Sequence, residues 1–255
     1  MSAKAAFFDV DGTLAKGYLI IDFPHYLHEK GLFNPEEIEF INQQYAGYKK
    51  GEITYLTLAR SLPEAYARGI KGQKESDVVE CARNFVSEHP ERAFSFSKGL
   101  IELVKSRGFE PVLVSGSPQE IVQAFGDSIG AGTCLGTECD IKDGVYTGGL
   151  KLNAAIFVTK RGLVESYVKE NKLNPLLCAA FGDTDRDLAL LGMVGFPVAI
   201  NPNKRFRSFA EAKGWLVCGG DNVIPEVEKY LQISNDISPP NTSNTVTRLE
   251  KRLNS

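Results

Sequence analysis

The chain has 255 residues, 43 % of them hydrophobic and 24 % charged, with 29 basic against 32 acidic side chains for a formal charge of −3. This composition excludes extensive disorder, collagen and coiled coil, and it offers no broad positive field for nucleic acid or an anionic membrane. The length leaves both one large domain and two small ones open.

The N-terminal apolar run Ala5-Ala6-Phe7-Phe8 predicts a short strand, cut by Asp9 and too brief for a signal-peptide core. No uncharged apolar run reaches the roughly 18 residues of a membrane helix. A soluble, cytoplasmic protein with no membrane or nucleic-acid partner is therefore expected, its oligomeric state left open. From the end of Asp9-Val10-Asp11-Gly12-Thr13 to about residue 95 the pattern is helical. Asn34 ahead of Pro35, Glu36 and Glu37 marks a helix start, with a capping side chain, a first-turn proline and acids at the positive end. Val78, Val79, Ala82, Phe85 and Val86 keep a helical period up to Pro90.

Beyond residue 97, helix and strand alternate. A helix is predicted from Leu100 to Lys105, a buried strand over Pro111-Val112-Leu113-Val114 ending at Ser115, and a helix from Pro118 to Phe125. Lys142-Asp143-Gly144-Val145 reads as a hairpin turn. An amphipathic helix spans Lys160 to Lys169; strands follow at Leu176 to Phe181 and Phe196 to Ile200, with a helix start at Asp185 to Leu191 between them. Lys204-Arg205-Phe206-Arg207, after Asn201-Pro202, reads as a solvated helix face. Short apolar strands alternating with helices predict an α/β fold, a parallel sheet with helices on both faces. The stretch from Ser234 to Ser255, rich in Ser, Asn, Thr and Pro, reads as a mostly disordered tail, with a short helix at Thr247 to Leu253 left open. The odd, scattered set of cysteines (Cys81, Cys134, Cys139, Cys178, Cys218) predicts reduced thiols, and the three histidines fit no catalytic triad.

Sites in open α/β sheets form beyond the carboxyl ends of strands. Three such ends here carry polar groups: Asp9 and Asp11; Ser115, Gly116 and Ser117; and Asp183, Asp185 and Asp187. Clustered carboxylates repel unless a cation neutralises them, and Mg²⁺ takes oxygen ligands. Mg²⁺, Lys160, the Ser115 hydroxyl and a backbone N–H near Gly116 together suit a phosphate dianion. One carboxylate can then attack phosphorus while the second, two residues on and pointing the same way, moves the protons. An EF-hand reading fails: position six is Leu14 or Leu188 and position twelve Ile20 or Val194, counted from Asp9 or Asp183. Taken singly, Asp183 and Ser117 read as helix caps and Lys160 as a surface lysine.

The four elements together resemble the haloacid dehalogenase superfamily of phosphotransferases. Asp9-Val10-Asp11-Gly12-Thr13 matches its first motif, Val112 to Gly116 its second, Lys160 its third and Gly182-Asp183 through Asp187 its fourth. The resemblance implies a Rossmann-like core over residues 1–15 and 96–233, with a helical cap of the phosphoserine-phosphatase-like branch over 16–95. It implies Asp9 as nucleophile and Mg²⁺ ligand, and Asp11 as general acid/base with its carbonyl on the metal. Asp183 and Asp187 complete the metal site, and Ser115, Gly116 and Lys160 bind phosphate. Asp11 argues against dehalogenase chemistry, which lacks that second acid. The expected reaction is hydrolysis of a small-molecule phosphomonoester through an aspartyl-phosphate.

The substrate is less defined. Arg60 falls where the branch holds a substrate carboxylate, and equally reads as a solvated helix arginine. Where the branch places an amine-binding Glu stands Tyr18-Leu19-Ile20-Ile21-Asp22, with Asp22 as the nearby acid. That aliphatic stretch keeps a lipid phosphate or phosphocholine open. A receiver-type phospho-Asp binding module is the rival from another class, opposed by the long helical insert; an inactive scaffold is opposed by the intact Asp, Ser and Lys positions.

Overall fold

The computed structural model describes residues 4–233, the side chain of Ile233 excepted, so the stretch read as a disordered tail lies outside the described residues. Strand β1 (Lys4–Phe8) leads into four helices, α1 (Leu19–Glu29), α2 (Pro35–Lys50), α3 (Tyr55–Gly69) and α4 (Glu75–Glu88). Then come α5 (Ser97–Ser106), β2 (Phe109–Pro118), α6 (Gln119–Ile129), β3 (Thr133–Lys142) and β4 (Val145–Leu152). The chain continues with α7 (Phe157–Glu170), β5 (Ala179–Gly182), α8 (Leu188–Leu191), β6 (Phe196–Ile200), α9 (Lys204–Ala212), β7 (Leu216–Cys218) and α10 (Val223–Ile233).

The seven strands form one sheet in the order β4-β3-β2-β1-β5-β6-β7. All pairs are parallel except β3 with β4. β1 is central, with Ala6 opposite Pro111 on one side and Ala179 on the other. The chain runs outward from β1 in both directions, so the carboxyl end of β1 is a topological switch point, where α/β sheets open a crevice.

Because successive strand residues face opposite ways, a doubly covered strand needs apolar residues on both faces. Ala5 and Phe7 pack with Val112, Val164 and Leu190 on one face; Ala6 and Phe8 pack with Leu113, Phe181 and Val198 on the other. The second core continues without a break into the helices, through Leu14, Phe23, Leu62 and Tyr66. The helices also join the sheet edge by backbone: Gly72 N–H donates to the Tyr146 carbonyl, Tyr146 N–H to that of Gln73, and Glu75 N–H to that of Gly144, at 2.9, 3.0 and 2.9 Å. All five cysteines are free thiols.

Several boundaries differ from expectation. β2 does not end at Ser115 but runs through Ser117 to Pro118, because Pro118 pairs again with Thr137 of β3 beyond a register shift after Val114, while the hydroxyls of Ser115 and Ser117 bond Asp11. Ser117 therefore does not cap α6, whose N-cap position is Pro118. Leu176 lies in a single turn, Pro175–Leu177, ahead of β5. Residues Asp185–Asp187 form a tight turn that precedes α8, and Thr184, not Asp183, caps it. The wholly parallel sheet gains an antiparallel edge: the turn at Asp143 and Gly144 joins two full strands.

Candidate active site

The strand ends bring the predicted residues together. Asp9 follows the last residue of β1, and its N–H donates to the Phe181 carbonyl of β5 at 2.9 Å. The chain then folds tightly on itself, with the N–H groups of Thr13, Leu14 and Ala15 all donating to the Val10 carbonyl. Lys160, in the first turn of α7, is buried instead of lying on the surface. Its ammonium donates to Asp9 Oδ1 at 2.6 Å and to Asp187 Oδ1 at 3.1 Å. Thr13 Oγ1 donates to Asp9 Oδ2 at 3.2 Å.

Asp187 is held from its other side. Its Oδ2 accepts from the backbone N–H groups of Asp183 and Thr184, each at 3.1 Å, and from Thr184 Oγ1 at 3.2 Å. It thereby fixes both the loop carrying Asp183 and the lysine that faces Asp9. One carboxylate oxygen each from Asp9, Asp183 and Asp187 lies within 4.8 Å of the others.

The electrostatics of this cluster are unbalanced. Burial and the charge of Asp187 push the carboxyl of Asp9 above the usual aspartate range. The same two causes, with Asp9 added, push Asp183 up further. Burial alone pulls the Lys160 ammonium down, but the charges of Asp9 and Asp187 outweigh it and hold it above the usual lysine range. Lys160 thus bonds two of the three carboxylates, and Asp183 has only the opposing charge of Arg186. An all-oxygen donor set with a charge deficit suits a hard divalent cation such as Mg²⁺.

Asp11 points elsewhere. Its Oδ1 accepts from the N–H of Leu19, the first residue of α1, at 2.7 Å; its Oδ2 accepts from Ser115 Oγ at 3.1 Å and Ser117 Oγ at 2.8 Å. Burial raises its carboxyl above the usual range, with these hydrogen bonds opposing. Ser117 Oγ in turn accepts from the N–H of Ile20 at 3.0 Å. Ser115 is fully buried, and its hydroxyl is committed to Asp11 and the Ser117 N–H.

These groups open into a cavity of about 960 Å³ lined by Asp9, Lys160, Gly116 and Asp183 as well as by helix residues. Arg60 lies exposed on α3 and lines it. Asp22 does not: it pairs with Arg92 at 2.5 Å. The sequence reading missed Thr13 and Thr184, which could have been read as polar neighbours within the acidic strings. It also missed Arg186, whose guanidinium donates to Tyr48 Oη and lies 3.9 Å from the Tyr55 ring centre. Nothing in a linear string signals that meeting of residues over a hundred positions apart.

A family model for haloacid dehalogenase-like hydrolases matches residues 6–192. The chain belongs to this family. It is accordingly an enzyme, a hydrolase. Phosphoserine phosphatase SerB1 of Mycobacterium tuberculosis (strain ATCC 25618 / H37Rv) is 28 % identical over 215 residues, 84 % of this chain and 70 % of that protein. Histidinol-phosphatase of Neisseria meningitidis serogroup C (strain 8013) is 27 % identical over 228 residues, 83 % of this chain and 96 % of that one. A substrate-bound phosphoserine phosphatase complex shares the fold at TM-score 0.63 and 17 % identity, covering 90 % of this chain and 99 % of that one. Among the described residues, no helix of this haloacid dehalogenase-like hydrolase is long and apolar enough to cross a membrane.

Proposed function

We propose that the enzyme is a Mg²⁺-dependent phosphomonoesterase that transfers the phosphoryl group of a small phosphorylated molecule to Asp9. The observation that carries this reading is Asp9 itself, placed at the switch point with Lys160 at 2.6 Å and Asp183 and Asp187 clustered beside it. The phosphatase names of the two relatives support it.

Asp9 and Asp183 would hold the ion, with the Asp11 carbonyl, and Asp187 would steady them. Bound there, Mg²⁺ supplies charge neutralisation for the cluster and for the phosphoryl oxygens. The residues do the remaining work. Lys160 and the N–H groups around Gly116 orient the phosphate. Asp9 attacks phosphorus, the P–O bond to the alcohol breaks, and Asp11 donates the proton that the leaving oxygen takes. Asp11 then accepts a proton from water, whose oxygen attacks phosphorus and frees phosphate and Asp9. For this, Asp11 must leave its bonds to Leu19 and the two serines. Ser115 acts by positioning Asp11, and α1–α4 act as a cap over the site.

The test is phosphate release from p-nitrophenyl phosphate and a panel of metabolite phosphoesters, with Mg²⁺ or with chelator. Asp9→Asn and chelator should each reduce release at least about a thousandfold. Equal release by wild type and Asp9→Asn would overturn the mechanism.

A further inference from the structure

Resting on that phosphatase reading, we propose that the cavity selects phosphomonoesters whose alcohol part is a flexible aliphatic chain, over small zwitterionic esters such as phosphoserine. At about 960 Å³ the cavity lies near the upper end of small-molecule sites, far beyond what a phosphate and an amino-acid body fill. Away from the carboxylates one stretch of its wall is apolar, with Ile20 and Ile21 from α1, Leu58 and Leu62 from α3, and Ile156 and Phe157 leading into the helix of Lys160, while Tyr18, Tyr48, Tyr55 and Arg186 line another part. The aliphatic pair on α1 stands where the sequence resemblance would place an amine-binding acid.

The rim carries exposed apolar side chains beside the charged Arg60 and Arg205. Leu56 is 50 % exposed and Val158 73 % exposed, and both line this cavity. They are two of only four large hydrophobic side chains exposed among the described residues. Exposed apolar side chains concentrated at a cavity opening mark a place where apolar surface is covered in use. Among the described residues that line the cavity, the carboxylates outside the catalytic cluster each face an arginine. Glu165 faces Arg161 at 2.8 Å and Asp185 faces Arg205 at 3.9 Å, while Asp22 is held by Arg92 outside the cavity.

The hydrolysis is the one described above: the P–O bond breaks, the alkoxide oxygen is protonated by Asp11, and water supplies the oxygen retained on phosphate. Only the leaving alcohol is specified. Apolar burial then predicts kcat/KM rising two- to fourfold, at most about fourfold, for each methylene buried.

The test uses the full chain with Mg²⁺ and a series of n-alkyl monophosphates from ethyl to decyl, below their micelle concentrations, beside phosphoserine and p-nitrophenyl phosphate. kcat/KM should climb with chain length, and octyl phosphate should exceed phosphoserine by about a hundredfold. The paired change Leu56→Ser with Val158→Ser, at exposed positions, should lower kcat/KM for octyl phosphate about fivefold more than for ethyl phosphate. A flat or falling series, or preference for phosphoserine, overturns the chain-length proposal while leaving the phosphatase reading intact. Absence of Asp9-dependent release from every ester overturns the phosphatase reading instead. In that case calorimetric binding of octylphosphonate against ethylphosphonate decides the cavity's preference: tighter binding of the octyl compound supports it, and equal binding overturns it.

Discussion

Gly12 leaves β1 at φ +91°, and a Cβ built there would lie 2.3 Å from Asp183 Oδ2. The position therefore needs glycine twice, for its backbone angle and for the space taken by a carboxylate of the cluster. Gly12→Ala should cost about 1–3 kcal/mol of stability in denaturant unfolding. It should also weaken Mg²⁺ binding, followed by calorimetry, about tenfold or more, because Asp183 has to move. Unchanged Mg²⁺ affinity would mean that Asp183 contributes little to holding the ion. Ser117 shows the same economy of space: one hydroxyl donates to Asp11 and accepts from Ile20, so it ties the proposed acid/base to the first turn of α1. In sequence it reads as a helix cap, because its partners lie a hundred residues away.

Between elements, Glu120 on α6 accepts from Tyr146 Oη of β4 at 2.5 Å and from Tyr66 Oη of α3 at 3.4 Å. Burial raises its carboxyl above the usual glutamate range, with the tyrosine hydrogen bonds opposing. A raised folded-state pKa means that the neutral side chain is the better tolerated form. Its stabilising contribution is complete below the ordinary glutamate pKa and fades as pH rises through the raised value. Glu120→Gln should therefore gain on wild type from mildly acidic to neutral pH, as read by unfolding midpoints across that range; a constant difference would contradict the assignment. Elements built on local strings were legible in the sequence. Asn34 caps α2 through the Glu36 N–H, as its Pro and acidic neighbours announce, and β1 reads directly from its apolar run. The β3–β4 edge was not: β3 interrupts its Thr, Cys and Leu with Gly, Glu and Asp, and β4 holds two glycines, residue types depleted in strands. Tertiary pairing with β2 and with the segment 72–75 makes these strands. The acids of the site were legible because each sits inside a short motif, whereas the Asp22–Arg92 and Arg186–tyrosine pairings need the fold to bring them together.

Across the whole molecule, β1 has no sequence neighbour beside it. Its partners begin at Phe109 and at Ala179, and every strand pair it makes spans a large part of the chain. A chain ending after residue 178 should consequently lack a stable core and be degraded in pulse proteolysis under conditions where the full chain survives. Comparable protection of the two would show that β2 alone suffices to hold β1. The same placement sets a timetable for synthesis. Asp9 leaves the ribosome well before Phe181, yet its backbone is fixed only once Phe181 has emerged. At typical translation rates that interval is roughly ten to thirty seconds. Throughout it, Phe7 and Phe8 form an apolar strand with no mate on one side, so the proposed nucleophile's own strand is the segment of the nascent chain most in need of a chaperone.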